Sequence, residues 1–334
     1  MILLEWSSTG NMNTARYWHV ASVLTNGNVL VTGGRNTSSS LNSAELYNSS
    51  TGTWTTTSNM NVARYSHTAS VLTNGNVLVT GGHNTSSSLN SAELYNSSTE
   101  IWTTTGSMNG ERSEHTATLL TNGNVLVVGG YTNGFFLNST EFYDPLTETW
   151  IMTGDMNAAR CRHTASILAN GKVLVTGGFI NFFSLNSADV YDPSARTWTT
   201  TGSMNDARYW HAASVLTNGN VLVTGGYNSS SSLDSAELYN SSIGIWTTTG
   251  KMNTARTEHT SSVLTDGKVL VTGGHINGFS LNTAELYDPS TGFWTMTDSM
   301  TITRYEHTAS ILINGNVLAM GGMSGMPLNS SELY

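Results

Sequence analysis

Seven histidines recur every 48 residues, and imidazole is well suited to bind metals or to move protons near neutral pH. They are His19, His67, His115, His163, His211, His259 and His307. Zinc and copper sites take three or four ligands at about 2 Å. Seven imidazoles spread around a ring would stand too far apart for such a site. We therefore predict no metal site and a structural role, in which one ring nitrogen of each histidine bonds to neighbouring backbone.

Three glutamates could do acid–base chemistry, because they occupy one repeated position, two residues after a repeated arginine. They are Glu114, Glu258 and Glu306. Glycoside hydrolysis needs two placed carboxylates, and only Glu258 and Glu306 fall in neighbouring repeats. The single cysteine, Cys161, excludes internal disulfides and a cysteine-based structural zinc site. Nucleotide-binding loops and triad spacings are absent from the sequence, which thus predicts no catalytic residue, no cofactor and no enzyme.

The repeat that positions these residues reads as one small sheet. Gly-Gly begins at positions 33, 81, 129, 177, 225, 273 and 321. Within residues 11–57, segments 16–24, 29–32, 44–47 and 53–57 are rich in strand-forming residues and are separated by turn sequences. Asn26-Gly27 predicts a type I′ hairpin between the first two segments. A four-stranded unit cannot bury both faces alone, so seven units predict an all-β fold, a seven-bladed β-propeller of four-stranded antiparallel blades.

The two ends of the chain are expected to share one blade. Seven repeats of 48 residues would need two residues more than the 334 present. In the repeat register Tyr334 aligns with Tyr47 and Met1 with Ser49, so the break falls in the last 3–4 turn. We expect a monomeric single domain over residues 1–334. Its seventh blade combines residues 304–334 with residues 1–8, and the N-terminal strand closes the ring.

Four further positions repeat and are expected to hold the blades together. An arginine, first seen as Arg16, and an acid, first seen as Glu45, recur in all seven repeats. Because a buried charge needs a partner, they predict a repeated ion pair or charge–backbone hydrogen bond. Trp54 predicts inter-blade packing and Met12 an apolar plug. Without these seven pairs, the 13 basic and 22 acidic residues fall to 6 and 15, so the net charge of −9 lies on the variable surface.

Composition excludes several classes of protein. The net charge of −9 argues against general nucleic-acid binding through phosphate contacts. No apolar run approaches the roughly 18 residues of a membrane span. Residues 1–5 lack the basic region of a signal peptide. We expect neither a nucleic-acid nor a membrane partner, and the sequence assigns no compartment.

The repeated residues resemble the kelch repeat. The shared pattern is an arginine with a histidine three residues later, a strand, Gly-Gly, an acid before an aromatic residue as in Glu45-Leu46-Tyr47, and then Trp54. All seven repeats carry it, so the resemblance covers the whole chain and implies a propeller. It implies little about activity, because kelch propellers serve as ubiquitin-ligase substrate adaptors, actin-associated proteins, plant specifier proteins, lectin-like modules and copper oxidases.

Residues 155–178 resemble in wording the galactose-oxidase-like branch of that family. This resemblance implies a copper ion held by two tyrosines and two histidines, with one tyrosine thioether-linked to a cysteine. Cys161 follows Arg160 at a suggestive place. However, the position two after the repeated arginine, where the family places its cross-linked tyrosine in one repeat, is never tyrosine in this chain. The tyrosines one step earlier lie in other repeats than Cys161, which leaves a copper oxidase as a remote alternative.

The variable positions gather on one rim of the predicted propeller. In an up-and-down blade the 2–3 and 4–1 loops share one rim, and function on a symmetric scaffold sits where the symmetry breaks. The candidate ligand-binding residues on this rim are Tyr17, Trp18, Arg35, Tyr65, His83, Glu114, Tyr131, Arg162, Phe179, Tyr209, Trp210, Tyr227, Glu258, His275, Tyr305 and Glu306. Longer 2–3 loops add Phe135, Phe136, Phe182, Phe183 and Phe279. In kelch substrate adaptors, the resemblance implies, these two loop positions contact the bound peptide.

This rim predicts a protein- or peptide-binding or scaffold module, because exposed aromatic residues and arginine are favoured anchors. A peptide would use Arg35, Arg162 and the acids for charge matching. A glycan would stack on Trp18 and Trp210, so a lectin-like propeller is the alternative. The first two repeats share the segment NTSSSLNSAELYNSS, so drift after recent duplication also remains open. Large exposed apolar groups, however, are unfavourable on a protein surface that binds nothing.

Overall fold

Each repeat folds as one antiparallel sheet of four strands, and the innermost strands of neighbouring sheets contact one another around an axis. This is a computed structural model, and it describes residues 5–334. Within this range seven such sheets follow one another, so the predicted seven-bladed all-β propeller is confirmed. Residues 5–334 contain no helix that is long and apolar enough to cross a membrane.

The strands are numbered 1 to 4 from the axis outward within blades 1 to 7. Strand 1 spans Val20–Val23, Thr68–Val71, Thr116–Leu119, Thr164–Ile167, Ala212–Val215, Thr260–Val263 and Thr308–Ile311. Strand 2 spans Val29–Thr32, Val77–Thr80, Val125–Val128, Val173–Thr176, Val221–Thr224, Val269–Thr272 and Val317–Met320. Strand 3 spans Ala44–Asn48, Ala92–Asn96, Thr140–Asp144, Ala188–Asp192, Ala236–Asn240, Ala284–Asp288 and Ser331–Leu333. Strand 4 spans Thr53–Thr56, Ile101–Thr104, Thr149–Met152, Thr197–Thr200, Ile245–Thr248, Phe293–Thr297 and Ser7–Ser8.

Strand 1 and its turn differ from the sequence prediction. In blade 1 the strand begins at Val20 rather than at residue 16, because Trp18 has a φ of 51° and breaks the extended run. The following hairpin is not type I′, since only Gly27, with a φ of 82°, is left-handed. Leu24 N–H donates to the Asn28 carbonyl at 2.8 Å around a three-residue loop. This is the hairpin class built on a turn followed by one left-handed glycine.

The ends of the chain meet in blade 7. Ser7 pairs with Leu333 and Ser8 with Glu332, so the N-terminal strand is the outer strand of the C-terminal sheet. The Trp6 and Tyr334 rings pack with their centroids 5.2 Å apart. The predicted closure of the ring by the N-terminal strand is therefore confirmed. Of the predicted contribution of residues 1–8, residues 1–4 lie outside the described range.

The repeated charges form seven ion pairs inside the blades. Arg16 donates to Glu45 at 2.7 Å, and both side chains are fully buried. The other pairs are Arg64–Glu93, Arg112–Glu141, Arg160–Asp189, Arg208–Glu237, Arg256–Glu285 and Arg304–Glu332. Arg16 also donates to the carbonyls of Gly33 and Ser43. These partners satisfy a charge that would otherwise be costly to bury, and the predicted repeated ion pair is confirmed.

The double glycine is the contact point with the next blade. A Cβ atom on Gly33 would lie 2.4 Å from the Arg64 carbonyl oxygen and 2.9 Å from His67 Cε1. Met60 packs on the same glycine, and Gly34 N–H donates to the Arg64 carbonyl at 2.9 Å. The repeated methionine, arginine, histidine and double glycine therefore belong to one joint between neighbouring blades.

The repeated tryptophan adds to these joints. Trp102 of blade 2 is buried in one apolar cluster with Leu46 and Met60, which come from blade 1 and from the segment that joins the two blades. The Trp102 indole N–H also donates to the Ser58 carbonyl at 2.9 Å, outside its own sheet. The predicted inter-blade packing is therefore observed, and the joints are both apolar and hydrogen-bonded.

Candidate functional site

A ring of seven residues surrounds the channel at the end where the 4–1 loops enter strand 1. We call these residues the collar: Trp18, Ser66, Glu114, Arg162, Trp210, Glu258 and Glu306. All seven are left-handed, with φ between 50° and 55°. From blade 2 to blade 7, each collar N–H donates to the carbonyl of the preceding collar residue, as Ser66 does to Trp18 at 3.1 Å. One side chain per blade is thus fixed at the channel mouth.

Outside the collar, the 4–1 and 2–3 loops of every blade are joined by a backbone bridge. The residue before the collar position pairs with the first residue of the 2–3 loop, as Tyr17 pairs with Arg35 through hydrogen bonds of 3.0 and 2.8 Å. The other pairs are Tyr65–His83, Ser113–Tyr131, Cys161–Phe179, Tyr209–Tyr227, Thr257–His275 and Tyr305–Met323. All sixteen candidate residues therefore lie in the collar or in this second ring, on one rim.

The 2–3 loops fall into two classes. In blades 1, 2 and 5 they are polar turns, in which an asparagine side chain accepts two backbone N–H bonds, as Asn36 does from Ser38 and Ser39. In blades 3, 4, 6 and 7 they are two-stranded hairpins with an apolar residue near the tip. We call these tips the crown: Phe135, Phe183, Phe279 and Met326, which are 71%, 69%, 72% and 63% exposed. The rim therefore presents apolar groups to solvent on four blades.

The crown hairpin of blade 4 contains a strained residue. Its turn is Asn181-Phe182, and both residues are left-handed, with φ of 45° and 71°. The same turn in blades 3 and 6 holds Gly134 and Gly278, which adopt this conformation without steric cost. Phe182 is also 86% exposed, so no packing in the described structure accounts for it. Strain held at an exposed residue is a reason to suspect function.

One cavity of about 430 Å³ lies between blades 3 and 4, and we call it the arginine cavity. Arg162 Nε and Nη2 each donate to the Glu114 carboxylate at 2.8 Å, and the guanidinium lies 4.2 Å from the Trp210 ring centroid. The remaining wall is largely aromatic, from Tyr131, Phe136, Phe179 and Phe182. Because Arg162 already has a carboxylate and an aromatic face, it is not free to receive an anionic ligand as the sequence suggested.

A second cavity of about 500 Å³ lies between blades 5, 6 and 7, and we call it the acidic cavity. Glu258 and Glu306 occupy neighbouring collar positions in its wall, where the Glu306 N–H donates to the Glu258 carbonyl at 3.2 Å. Burial raises the pKa of Glu258 to about 7. Burial and the neighbouring Glu258 raise the pKa of Glu306 to about 9. The pair therefore holds a proton near neutral pH, as two adjacent buried carboxyls do.

The seven repeated histidines lie in the blade joints, not in either cavity. His67 Nε2 hydrogen-bonds to Thr32 Oγ1 of the preceding blade at 2.9 Å, and His115 Nε2 does the same with Thr68. Burial lowers the pKa of His163 to about 3, so its ring is neutral. The expected structural role is thus observed, with a threonine hydroxyl in place of the expected main-chain partner. Within residues 5–334, no group of three or more His, Cys, Asp or Glu side chains is arranged to hold a metal ion.

Two residues that line the cavities, Cys161 and Thr257, are missing from the sixteen candidates that the sequence predicts. Both occupy second-ring positions, but neither side chain is charged or aromatic, so neither carries the signal that marks the other candidates. Phe136 and Phe182, which the sequence places on this rim as loop aromatics, line the arginine cavity. Cys161 is buried, and burial together with Glu114 raises the pKa of its thiol. It is therefore a small wall residue in the arginine cavity rather than a nucleophile.

Comparison with known proteins agrees with this architecture. A family model described as the KLHDC2/KLHL20/DRC7 Kelch-repeats domain matches residues 3–178 and 163–334. A fungal alcohol oxidase of the AA5 family, in complex with copper, has a TM-score of 0.83 and 20% identity, with 99% of this chain and 76% of that chain covered. The structure of YjhT has a TM-score of 0.67 and 15% identity, with 86% and 99% covered. No curated protein matches the chain. At such identities the two structures show the fold alone.

The residues near the mouth do not fit the copper site that the galactose-oxidase-like resemblance implies. That site would need two tyrosines and two histidines together. The only histidines outside the blade joints of residues 5–334 are His83 and His275, in blades 2 and 6. Cys161 lies in blade 4, where the described cavity wall brings Tyr131, Phe136 and Phe179 beside it. We therefore derive no chemistry through copper.

Proposed function

The chain belongs to the kelch-repeat family, and we propose that it is a non-catalytic binding protein whose channel-mouth rim receives a peptide segment of a partner protein. The observation that carries this proposal is the crown. Four apolar side chains stand exposed on hairpins around one mouth, while the three polar 2–3 loops end in Asx turns. Exposed apolar groups clustered around a concavity are typical of interaction surfaces.

Aromatic contacts connect the arginine cavity to the acidic cavity. Phe136 packs on Tyr131 and on Phe179, with ring centroids 5.3 and 5.8 Å apart. Phe179 then contacts Tyr209 at 4.9 Å, which itself packs on Trp210. This aromatic run crosses blades 3, 4 and 5. Rigid aromatic residues bury large areas at low conformational cost, so the run supports the role of an anchor for a partner.

The same geometry disfavours a hydrolase. A glycosidase separates its two carboxyls by about 5 Å or more, so that a sugar fits between them. Glu258 and Glu306 instead occupy adjacent collar positions, and burial together with Glu258 raises the pKa of Glu306, so the pair interacts directly. A lectin role also finds less support than a peptide role. One face of Trp210 is covered by Arg162, and Trp18 stacks on Tyr65 at 5.5 Å with an interplanar angle of 19°.

A combined peptide and glycan array probed with the full chain tests this proposal. We expect binding to peptides, and at least tenfold weaker binding by the triple variant Phe135→Ser, Phe183→Ser, Phe279→Ser. The matched control changes three exposed apolar residues away from the rim, Leu146→Ser, Ile243→Ser and Phe293→Ser, and should bind like the wild type. Binding only to glycans, or equal binding by both triple variants, would overturn the proposal.

A further inference from the structure

The acidic cavity combines aromatic faces with carboxylates, and this combination fits a cation. Its walls include Tyr209, Trp210, Tyr227, Tyr305, Glu258 and Glu306. A lysine ammonium or an arginine guanidinium is attracted both by aromatic faces and by carboxylate oxygens. We infer that this cavity binds a positively charged side chain of the peptide. The inference rests on the proposed function, since the peptide brings the cation to the rim.

The neighbouring cavity shows how this mouth holds a cation. Arg162 is bound by the Glu114 carboxylate, through two bonds of 2.8 Å, and by the face of Trp210 at 4.2 Å. Trp210 also lines the acidic cavity. The chain thus supplies its own cation to Trp210. The acidic cavity combines Trp210 with two carboxyl groups and several aromatic rings.

The charge balance of the collar leaves the two glutamates of the acidic cavity without an ion-paired cation. Among the ion pairs of residues 5–334, none involves Glu258 or Glu306. Arg162 is the collar's basic residue, and Glu114 neutralises it. The cavity therefore has more acidic than basic groups. A ligand cation would pair with Glu258 and Glu306 in the way that Arg162 pairs with Glu114.

The proton that Glu258 and Glu306 share competes with a cation for binding to these two carboxyl groups. Burial and the proximity of the two carboxyls raise both pKa values, so the pair loses its shared proton only at higher pH or when a bound positive charge replaces that proton. The other charged groups that face the pair are Arg162 and Glu114 from the collar, and His275 lines the same cavity. Since a lysine stays charged up to about pH 10, cation affinity should rise with pH while the carboxyls ionise.

The probe is tetramethylammonium, a compact cation without hydrogen-bond donors, titrated into the full chain and followed by saturation-transfer NMR of its methyl signal. The matched neutral probe is tert-butanol, which has a similar shape. We expect tetramethylammonium to bind at least tenfold more tightly than tert-butanol. We also expect its affinity to rise at least tenfold from pH 6 to pH 9, the range over which the two carboxyls ionise.

The decisive variant is Glu258→Gln/Glu306→Gln, which keeps shape but removes both charges. It should weaken tetramethylammonium binding at least tenfold and leave tert-butanol unchanged. The control is Glu100→Gln/Glu148→Gln, which removes two exposed carboxylates from the 3–4 turns on the opposite rim and should bind like the wild type. If the double variant does not give the wild-type circular dichroism spectrum, Glu306→Gln alone takes its place.

Equal affinity for the two probes, a flat pH profile, or unchanged binding by the Gln variant would each overturn the cation site. The peptide array tests the proposed function separately. If array peptides bind through the crown regardless of lysine and arginine, while tetramethylammonium does not bind, the peptide role stands and the cation site fails. If tetramethylammonium binds and no peptide does, the reverse holds.

Discussion

The guanidinium of Arg162 stacks on Trp210 at 4.2 Å while it forms two hydrogen bonds of 2.8 Å to Glu114. The three residues come from blades 3, 4 and 5, so one side chain connects three blades at the channel mouth. Collar positions in neighbouring blades are 48 residues apart, and this spacing is what brings their side chains together. The collar is therefore an interacting set of residues rather than seven independent surface positions.

We predict that Arg162→Gln lowers the free energy of unfolding by about 1–2 kcal/mol, since Glu114 then loses its cation in a half-buried setting. The ion pair is 27% and 23% exposed, which is why the expected loss is smaller than for a fully buried pair. Urea unfolding measures the change. Adding Glu114→Gln should recover part of the loss. An Arg162→Gln variant as stable as the wild type would show that the Arg162–Glu114 ion pair does not stabilise the fold.

The period of the sequence was enough to predict the propeller, its ring closure and the seven buried ion pairs. Each depends on residues such as Arg16 and Glu45 that recur with the same chemistry. The rim could be predicted as a place, because the 2–3 and 4–1 loops vary together. One repeat alone does not reveal which charged residues of the rim lack an ion-pair partner, because Glu114 and Arg162 pair across the boundary between two blades.

The collar conformation was also hidden in the sequence. A left-handed backbone conformation can usually be recognised in a sequence because glycine or asparagine occupies the position. The collar instead holds tryptophan, serine, glutamate and arginine, with φ fixed by the bridges on either side. Phe182 is the converse case, since Gly134 and Gly278 in sister repeats reveal the turn that it occupies. Comparison between repeats, rather than residue type, was the usable signal.

Gly81 and Gly134 form a matched pair for testing the blade joint. Both are left-handed, with φ of 59° and 92°, so alanine is strained at either position. At Gly81 an added Cβ would also lie 2.5 Å from the Arg112 carbonyl oxygen, whereas nothing lies within 4 Å of it at Gly134. We expect Gly134→Ala to cost about 1 kcal/mol and Gly81→Ala at least about 3 kcal/mol. Equal losses in urea unfolding would show that the joint is not tightly packed.

The buried histidines predict acid sensitivity. Burial lowers the pKa of His163 to about 3, below its ordinary value near 6.5. Its neutral form therefore stabilises the fold above pH 6.5, and this stabilisation is lost as the pH falls from 6.5 toward 3, at about 1.4 kcal/mol per pH unit. His163→Gln should flatten the fall in unfolding free energy between pH 6.5 and pH 5 by up to that slope. An unchanged slope in urea titrations would show that His163 does not stay neutral when the chain is folded.

Because the N-terminal strand completes blade 7, we predict that the stability of the fold depends on the N-terminal residues. Deletion of residues 1–8 removes the strand that pairs with Leu333 and the Trp6 ring that packs on Tyr334. Trp6→Ala alone should cost about 2–3 kcal/mol, which corresponds to a fall in Tm of about 3–4 °C, because the unfolding entropy of 334 residues is about 0.7 kcal/mol/K. The deletion should lower the Tm further. Calorimetry measures both, and a deletion variant with the wild-type Tm would rule out a stabilising closure.

Substitution of Phe182 can distinguish a rim that is selected for binding from a rim whose sequence varies by drift. Glycine at this position should relieve the left-handed strain and raise the free energy of unfolding by about 0.5–1 kcal/mol, after allowance for its greater entropy in the unfolded chain. The same change removes an 86% exposed aromatic group from the wall of the arginine cavity, so peptide binding should weaken. Urea unfolding and peptide titration of Phe182→Gly measure the two effects. A variant that is more stable and binds equally well would show that Phe182 has no role in binding and arose by drift after duplication. A variant that is more stable but binds more weakly would show that Phe182 lowers stability in return for function, as binding residues often do.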